Sequence, residues 1–337
     1  MNETLKAPFP WFGGKSDVAD AVWQRFGSVP NYIEPFFGSG AMLLGRPSPF
    51  GGVETVNDKD GLICNLWRAV KSAPQEVAKW ADWPVNENDL HARHFWLVQQ
   101  KDSLGPKLEG DPEWFDAKIA GWWCWGICCW IGSGFCSGDG PWSVQEIDGV
   151  RQLVHLGNAG RGVNRKRVHL GNAGMGEIAS ESISPMREGV YGWMQNLSER
   201  LERVRVCCGD WRRVTGGRSG DSLKHFFAAG NRCAVFLDPP YSTEANRNET
   251  LYREEDLDVA HAVREWAISQ GNDPRLRIAL CGYEGEHDMP KDWSVLEWKA
   301  RGGYASVADG ETDAKDNCKR ERIYFSPHCL KGEAELF

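Results

Sequence analysis

One segment near the N-terminus constrains the fold more than any other part of the chain. It reads YIEPFFGSGAMLL and is followed, a few residues later, by GGVETVNDKD. The first part predicts a short strand, a glycine loop and the start of a helix, and the second predicts a strand from Val53 to Val56 that ends in Asn57 and Asp58. A strand, a glycine turn, a helix and a strand with a terminal acid form one nucleotide-binding half of an α/β sheet. We therefore predict an α/β fold.

The same pattern is present at the start of the chain and in its second half. PWFGGKSDVADAVWQRFG predicts a glycine turn and then a helix capped by Ser16 or Asp17, with an apolar face of Val18, Val22 and Phe26. Further strands are predicted at VRVCCGD, CAVFLDPPY, RIALCGY and ERIYFS, with helices at about 191–204, 222–229 and 256–269. These later elements predict that one sheet is completed after an interruption.

The interruption lies between about Pro74 and Pro185. Tryptophans are dense there, strong strand alternation disappears and glycine clusters interrupt the predicted helices. We predict a catalytic domain of residues 1–73 and 186–337 and an inserted target-recognition region, 74–185. Within the insertion VHLGNAG occurs twice, and the basic sequence NRKR separates the two copies. Two copies are too few for a solenoid, so the segment near 151–176 is predicted to be a hairpin-like basic arm.

The residue types needed for amine chemistry follow one predicted strand. Asp238, Pro239, Pro240 and Tyr241 come directly after the apolar run Cys233 to Leu237, whose carboxyl end would open at the ligand edge of a parallel sheet. The prolines fix the backbone and supply no N–H, so the carbonyls there act as acceptors. Asp238 and the Pro239 carbonyl can each accept one hydrogen of an aromatic amine, while Tyr241 stacks on the ring. An ordinary Asp-Pro turn is the alternative.

The glycine loop EPFFGSGA, at 34–41, predicts a ligand that approaches the backbone between Gly38 and Gly40. Asp58 follows Gly38 by twenty positions, which is the spacing expected for an acid that binds ribose hydroxyls. The third glycine of an NAD fingerprint is missing, and so is the Gly-Lys-Ser/Thr of a phosphate loop. A nucleoside ligand without a pyrophosphate fits better.

In this order, the motifs resemble those of the Dam-like DNA adenine methyltransferases of the alpha class, and the match runs through most of the chain. PWFGGK resembles the family's opening motif, EPFFGSGA its methionine-binding loop, NDKD its ribose-binding acid and DPPY its catalytic motif. The resemblance implies a Rossmann-like methyltransferase sheet with S-adenosylmethionine as cofactor. It also implies methyl transfer to the exocyclic 6-amino group of adenine in DNA.

The resemblance also assigns the cofactor site. Asp58 would bind the ribose, Phe36 and the loop glycines would surround the methionine, and Asp210 would lie near the cofactor adenine. Lys15 matches the family's Gly-Gly-Lys turn, which lies near both cofactor and DNA. The complete predicted cofactor set is Trp11, Lys15, Glu34, Pro35, Phe36, Phe37, Gly38, Ser39, Gly40, Asp58, Asp210, Trp211 and Asp238.

Double-stranded DNA is the predicted partner, and the chemistry requires the target base to flip out of the stack. The net charge of −8 argues against a protein that coats nucleic acid, so the DNA contacts must be local. Such a place exists between 151 and 176, which holds no Asp or Glu. The predicted DNA-binding residues are Lys15, Arg161, Arg165, Lys166 and Arg167.

Several other classes of protein are disfavoured. The sequence has neither a leader pattern nor a membrane-length apolar run, which predicts a cytoplasmic protein with reduced cysteines. Cys124, Cys128, Cys129 and Cys136 lack the spacing of paired zinc knuckles, so no metal is predicted. The cluster GWWCWGICCW is predicted to be core. Transfer to one base per event is compatible with a monomer.

Alternatives remain open at this point. Cytosine 4-amino methylation uses the same geometry, although a serine commonly begins that motif. Methylation of RNA or of a protein amide would also use an amine acceptor, but the protein enzymes usually carry an Asn-initiated motif. A non-catalytic DNA-binding protein that keeps the methyltransferase fold is the alternative from a different class, because fold does not establish function.

Overall fold

The computed structural model describes residues 5–11, 14–47, 52–130, 135–136, 142–147, 149–155, 168, 183–216, 231–240, 259–298 and 321–331. The chain divides into two compact units. The helical unit comprises Met1–Phe12, Asp58–Gly209 and Tyr304–Ser306, and the sheet unit comprises Gly13–Asn57, Asp210–Gly303 and Val307–Phe337. The predicted insertion, 74–185, falls within the helical unit, and its separate role in target recognition stays a prediction.

The described residues form nine strands and nine helices. The strands are β1 Asn31–Glu34, β2 Val53–Asp58, β3 Trp142–Ile147, β4 Val150–His155, β5 Val204–Cys208, β6 Cys233–Leu237, β7 Leu276–Tyr283, β8 Ser294–Glu297 and β9 Glu321–Phe325. The helices are α1 Ala19–Phe26, α2 Ala41–Leu44, α3 Gly61–Ser72, α4 Pro74–Ala81, α5 Glu87–Gly110, α6 Ala117–Cys129, α7 Ile183–Leu201, α8 Arg212–Thr215 and α9 Val259–Gln270.

Seven strands form one sheet in the order β5-β2-β1-β6-β7-β9-β8. β1 pairs in parallel with β2 and with β6, and β6 pairs in parallel with β7. β9 runs antiparallel to both β7 and β8. The predicted α/β class is confirmed as a mixed α/β chain with a mostly parallel sheet, which is compatible with a Rossmann-like fold.

The centre of the sheet is apolar, as expected for parallel strands that are covered on both faces. Every residue of β6 and of β7 is buried. On β1 the large side chains of Tyr32 and Ile33 are almost inaccessible to solvent. The predicted strands around CAVFL and RIALCGY are therefore confirmed, because long apolar runs suit strands at the centre of a sheet.

The first helix confirms one prediction and corrects another. α1 buries Val22 and Phe26, and Val18 just before it is also buried, so the predicted apolar face is correct. The predicted cap at Ser16 or Asp17 is wrong, since Val18 is the N-cap and no side-chain hydrogen bond caps the helix. The Val18 N–H donates to the Lys15 carbonyl at 3.2 Å, so positions 16 and 17 lie inside a turn that precedes the helix.

The helical unit buries the aromatic cluster that follows Lys118. α6 carries Trp123 and Trp125 into the core together with Cys124, Cys128 and Cys129, which confirms the predicted core role of this segment. Ten cysteines are free among the described residues, and eight of these are buried. They behave as small apolar side chains.

Two element boundaries differ from the predictions. α7 begins at Ile183, well before Tyr191, and ends at Leu201 because Val204 already belongs to β5. The segment predicted to be an insertion contains an antiparallel hairpin of β3 and β4, although the sequence shows no strong strand alternation there. The predicted arm near 151–176 includes most of β4, and its residues 156–167 and 169–182 lie outside the described residues, as does the predicted helix at 222–229.

No helix in the described parts of the chain has the length and apolarity required to cross a membrane.

Candidate active site at the carboxyl edge of the sheet

Asp238 follows the last residue of β6, which has parallel neighbours on both sides. Its side chain is 22% exposed, so it is reachable from solvent although the strand before it is fully buried. Pro239 is buried and Pro240 is half-buried. Neither proline has an N–H, so neither can extend the strand pairing as a donor. Tyr241 lies outside the described residues.

The order of the strands explains why this edge is suited to bind a ligand. From β1 the chain moves outward to β2, and it later returns to the other side of β1 to form β6. The direction of winding therefore reverses between β1 and β6, and ligands of open α/β sheets bind beyond the carboxyl ends of strands at such a point. Glu34 ends β1 and Asp238 follows β6, so both predicted site residues lie at this edge.

A buried lysine is paired with Asp238. The Lys15 Nζ atom lies 3.0 Å from Asp238 Oδ2 and 3.4 Å from Glu321 Oε2. Glu321 is the first residue of β9 and pairs with Tyr283, near the end of β7. Because β9 is antiparallel to β7, its first residue lies at the carboxyl edge of the parallel strands. The sequence prediction of the site included Lys15 and Asp238 but missed Glu321.

The three charges define the electrostatics of the site. Burial lowers the pKa of Lys15, but the attraction of Asp238 and then of Glu321 outweighs this effect and raises the pKa well above its ordinary value. The lysine is therefore a permanent ammonium at neutral pH. One ammonium and two carboxylates leave the cluster with one negative charge.

Two further buried groups adjoin this cluster. Burial, followed by the charge of Asp238, raises the pKa of the Cys281 thiol well above its ordinary value, and the thiol is hydrogen-bonded to Asp238. Burial also raises the pKa of Glu34 well above the ordinary range, although a hydrogen bond from the Tyr32 hydroxyl to Oε2, at 2.9 Å, opposes that shift. Both shifts favour the neutral form of the group.

Asn57 fixes the glycine loop between β1 and α2. Its side-chain Nδ2 donates to the Pro35 carbonyl at 3.1 Å, and its backbone carbonyl accepts from the Phe37 N–H at 2.9 Å. The Gly40 N–H then donates to the Phe37 carbonyl at 2.7 Å. Gly38 and Gly40 have φ values of 47° and 66°, which favour glycine. Ser39 is half-buried in this loop.

Gly40→Ala should destabilise the sheet unit more than a positive φ alone requires. A Cβ at position 40 would lie 2.7 Å from Phe37 Cζ, so the side chain adds a clash to the backbone strain. Gly285→Ala is the matched control, because Gly285 has a φ of 82° and open space around its Cβ position. We expect a loss of about 1 kcal/mol for the control and at least about 2 kcal/mol for Gly40→Ala in urea unfolding. Equal losses of stability in the two variants would show that the Phe37 side chain moves aside without a measurable cost in free energy.

Phe36 and Trp211 come together in the sheet unit. Their ring centroids lie 6.4 Å apart with an interplanar angle of 33°, and Trp266 packs edge-on against Trp211 at 6.2 Å. Asp210 is exposed, and its Oδ1 accepts from the Arg212 N–H at 2.8 Å. Trp211 is buried, yet its indole N–H has no hydrogen-bond partner among the described residues.

Trp11 and Asp58 belong to the helical unit. Asp58 is the last residue of β2, and its Oδ1 accepts from the Asp60 N–H at 2.9 Å. Its backbone carbonyl accepts from the Gly209 N–H at 2.8 Å. Trp11 is exposed and packs at the edge of Phe9, with 5.9 Å between ring centroids.

The remaining sequence predictions concern DNA and metal. Arg161, Arg165, Lys166 and Arg167 lie outside the described residues. The described residues contain no group of three or more His, Cys, Asp and Glu side chains that could hold a metal ion.

Comparison with known proteins found no family model that matches the chain and no match among curated proteins. The resemblance to adenine methyltransferases therefore depends on the four motifs and their order. Sequence reasoning missed three contributors to the candidate site, Asn57 as the loop anchor, Cys281 and Glu321. Their only sequence signal is position, since Asn57 and Cys281 lie close to the end of a predicted strand and Glu321 begins the closing strand.

Proposed function

We propose that this protein transfers a methyl group from S-adenosylmethionine to the exocyclic 6-amino group of adenine in DNA. One observation carries the proposal. The sequence Asp-Pro-Pro begins immediately after the central parallel strand, at the point where the winding of the sheet reverses, and its partly exposed carboxylate is held by a buried ammonium. This is the arrangement expected of a site that binds an amine beside a nucleoside ligand.

The described residues fit the proposed cofactor. When bound, S-adenosylmethionine supplies an electrophilic methyl group on a positively charged sulfur. The cluster of Lys15, Asp238 and Glu321 carries one negative charge, which favours a cationic ligand. Gly38 and Gly40 have positive φ values that glycine adopts readily, so neither position of the loop carries a side chain. The Phe36 ring, half-buried in the loop, lies beside Trp211 and offers an aromatic surface next to this edge of the sheet.

Asp238 is the proposed catalytic residue. Its carboxylate accepts one hydrogen of the target amino group, and the Pro239 carbonyl accepts the other, which directs the nitrogen lone pair toward the methyl group. As the C–N bond forms and the C–S bond breaks, positive charge develops on the nitrogen, and the carboxylate stabilises it. The surplus proton on nitrogen then leaves to Asp238 or to water. Lys15 orients the carboxylate through the 3.0 Å contact.

The DNA-dependent steps are proposed from the sequence. An adenine in a duplex hides its amino group in the stack, so the base must flip into the site, at a cost of a few kcal/mol. Tyr241 is proposed to stack on the flipped base. Arg161, Arg165, Lys166 and Arg167 are proposed to contact phosphates, which position the protein without reading the sequence.

The first test is to incubate the protein with labelled S-adenosylmethionine and unmethylated genomic DNA and to identify the product nucleoside after digestion. Methyladenine is the expected product. Methylcytosine would instead support 4-amino methylation of cytosine. Cofactor binding without transfer to any DNA or RNA would favour a non-catalytic DNA-binding protein.

A further inference from the structure

Glu321 is a buried carboxylate that the four motifs do not include. Its side chain is 8% exposed, and its Oε2 lies 3.4 Å from the Lys15 ammonium. Burying a carboxylate costs several kcal/mol unless a counter-charge and hydrogen bonds offset the lost hydration. The residue is therefore held in place by its interaction with the centre that contains Asp238.

The next residue along β9 shows that this orientation is specific. Successive side chains of a strand point to opposite faces of the sheet. Arg322 pairs with Glu284 at 3.1 Å and more distantly with Glu297 at 3.8 Å, and both of these partners are exposed. Arg322 therefore belongs to an exposed group of ion pairs, whereas Glu321, the residue before it on β9, contacts the buried ammonium of Lys15.

We infer that Glu321 is a positioning residue for methyl transfer, acting through Lys15. By attracting the ammonium from a second side, it lets Lys15 orient Asp238 while the cluster keeps one negative charge. Without Glu321, the full charge of Lys15 would act on Asp238 and the pair would be neutral. The carboxylate would then be a poorer acceptor for the target amine and a weaker stabiliser of positive charge. This inference depends on the proposed function.

Three variants test the role by steady-state kinetics. Glu321→Gln removes the charge and keeps the shape, Glu321→Asp keeps the charge, and Glu297→Gln makes the same change at an exposed site on the neighbouring strand. We expect Glu321→Gln to lower kcat by about tenfold or more, with the KM for DNA changed less than about threefold. Glu321→Asp should lower kcat only about two- to fivefold, and Glu297→Gln should resemble the wild type. A Glu321→Gln enzyme with wild-type kcat would overturn the inference.

A second measurement does not depend on activity. Among the described residues, Asp238 and Glu321 both pair with the Lys15 ammonium. Glu321→Gln and Lys15→Met should therefore destabilise the protein non-additively in urea unfolding, because each removes one partner of the same ion pair. Glu297→Gln, at the exposed site, should be additive with Lys15→Met. Additive losses for Glu321→Gln and Lys15→Met would overturn the inference.

The two measurements separate the inference from the proposed function. A wild-type protein that transfers no methyl group to DNA, while Glu321→Gln and Lys15→Met are non-additive in unfolding, would refute the proposed function and retain the ion-pair geometry alone. An active wild type with an equally active Glu321→Gln would refute the positioning role alone. If Glu321→Gln does not fold, Glu321→Asp decides: its shorter side chain should lower kcat about two- to fivefold, whereas Glu297→Gln should keep the wild-type kcat, and equal kcat values in these two variants would overturn the inference.

Discussion

Asp238→Asn is expected to lower the kcat of methyl transfer by about 100- to 1,000-fold. Asparagine keeps the shape and one carbonyl oxygen, but it carries no charge to stabilise the positive nitrogen. It also breaks the ion pair with Lys15, whose Nζ lies 3.0 Å from the carboxylate. Single-turnover transfer from labelled S-adenosylmethionine measures the effect on the chemical step without product release.

The matched control is Asp292→Asn, because Asp292 is exposed in the same unit and the substitution removes the same charge. Cofactor affinity should stay near the wild-type value in Asp292→Asn and fall in Asp238→Asn, because the cluster loses the negative charge that favours a cationic ligand, so the rates are compared at saturating cofactor. If the single-turnover rate of Asp238→Asn lies within about threefold of that of the control, Asp238 takes no part in the chemical step. Asp238 and Pro239 would then form an ordinary turn.

Local sequence was sufficient to predict the centre of the sheet. The five apolar residues of β6 and the apolar run of β7 are long enough to be buried on both faces, and the structure buries all of them. Asp238 could be placed at the edge of the sheet because the first polar residue after a buried strand marks the end of that strand. Glu34 could be placed there because it is the last residue before the glycine loop, and it ends β1.

The ion-pair partners of the site could not be predicted in the same way. Glu321 opens a strand whose sequence, ERIYF, says nothing about which neighbour it pairs with. Only the antiparallel register with β7 brings it to the edge where Lys15 lies. The wrong prediction of a cap for α1 has a similar origin. Residue type alone favours Ser16 or Asp17 as the cap, but both positions lie in a turn that ends at Val18.

Lys15→Met is expected to destabilise the protein by about 3–5 kcal/mol at pH 8, because it leaves two carboxylates without their shared counter-charge. The Lys15 side chain is 4% exposed and that of Glu321 is 8% exposed, so water screens the remaining charges poorly. Lys79→Met is the surface control. Lys79 pairs with Glu76 at 3.4 Å, both side chains are 57% exposed, and such pairs contribute about 0–1 kcal/mol.

The pH dependence of the unfolding free energy tests whether charge or packing causes the Lys15→Met loss. Folding raises the pKa of Lys15, so its stabilising contribution is complete below the unfolded value of 10.5 and is constant between pH 5 and pH 8. In Lys15→Met no ammonium offsets Asp238 and Glu321. The difference in unfolding free energy from the wild type should therefore be the same at pH 7 and pH 8 and should shrink as the pH rises above 10.5, as measured by urea unfolding. Adding Glu321→Gln to Lys15→Met should recover part of the loss at pH 8, because one uncompensated charge is removed. A loss that is independent of pH and unaffected by Glu321→Gln would mean that Lys15 stabilises the fold by packing alone.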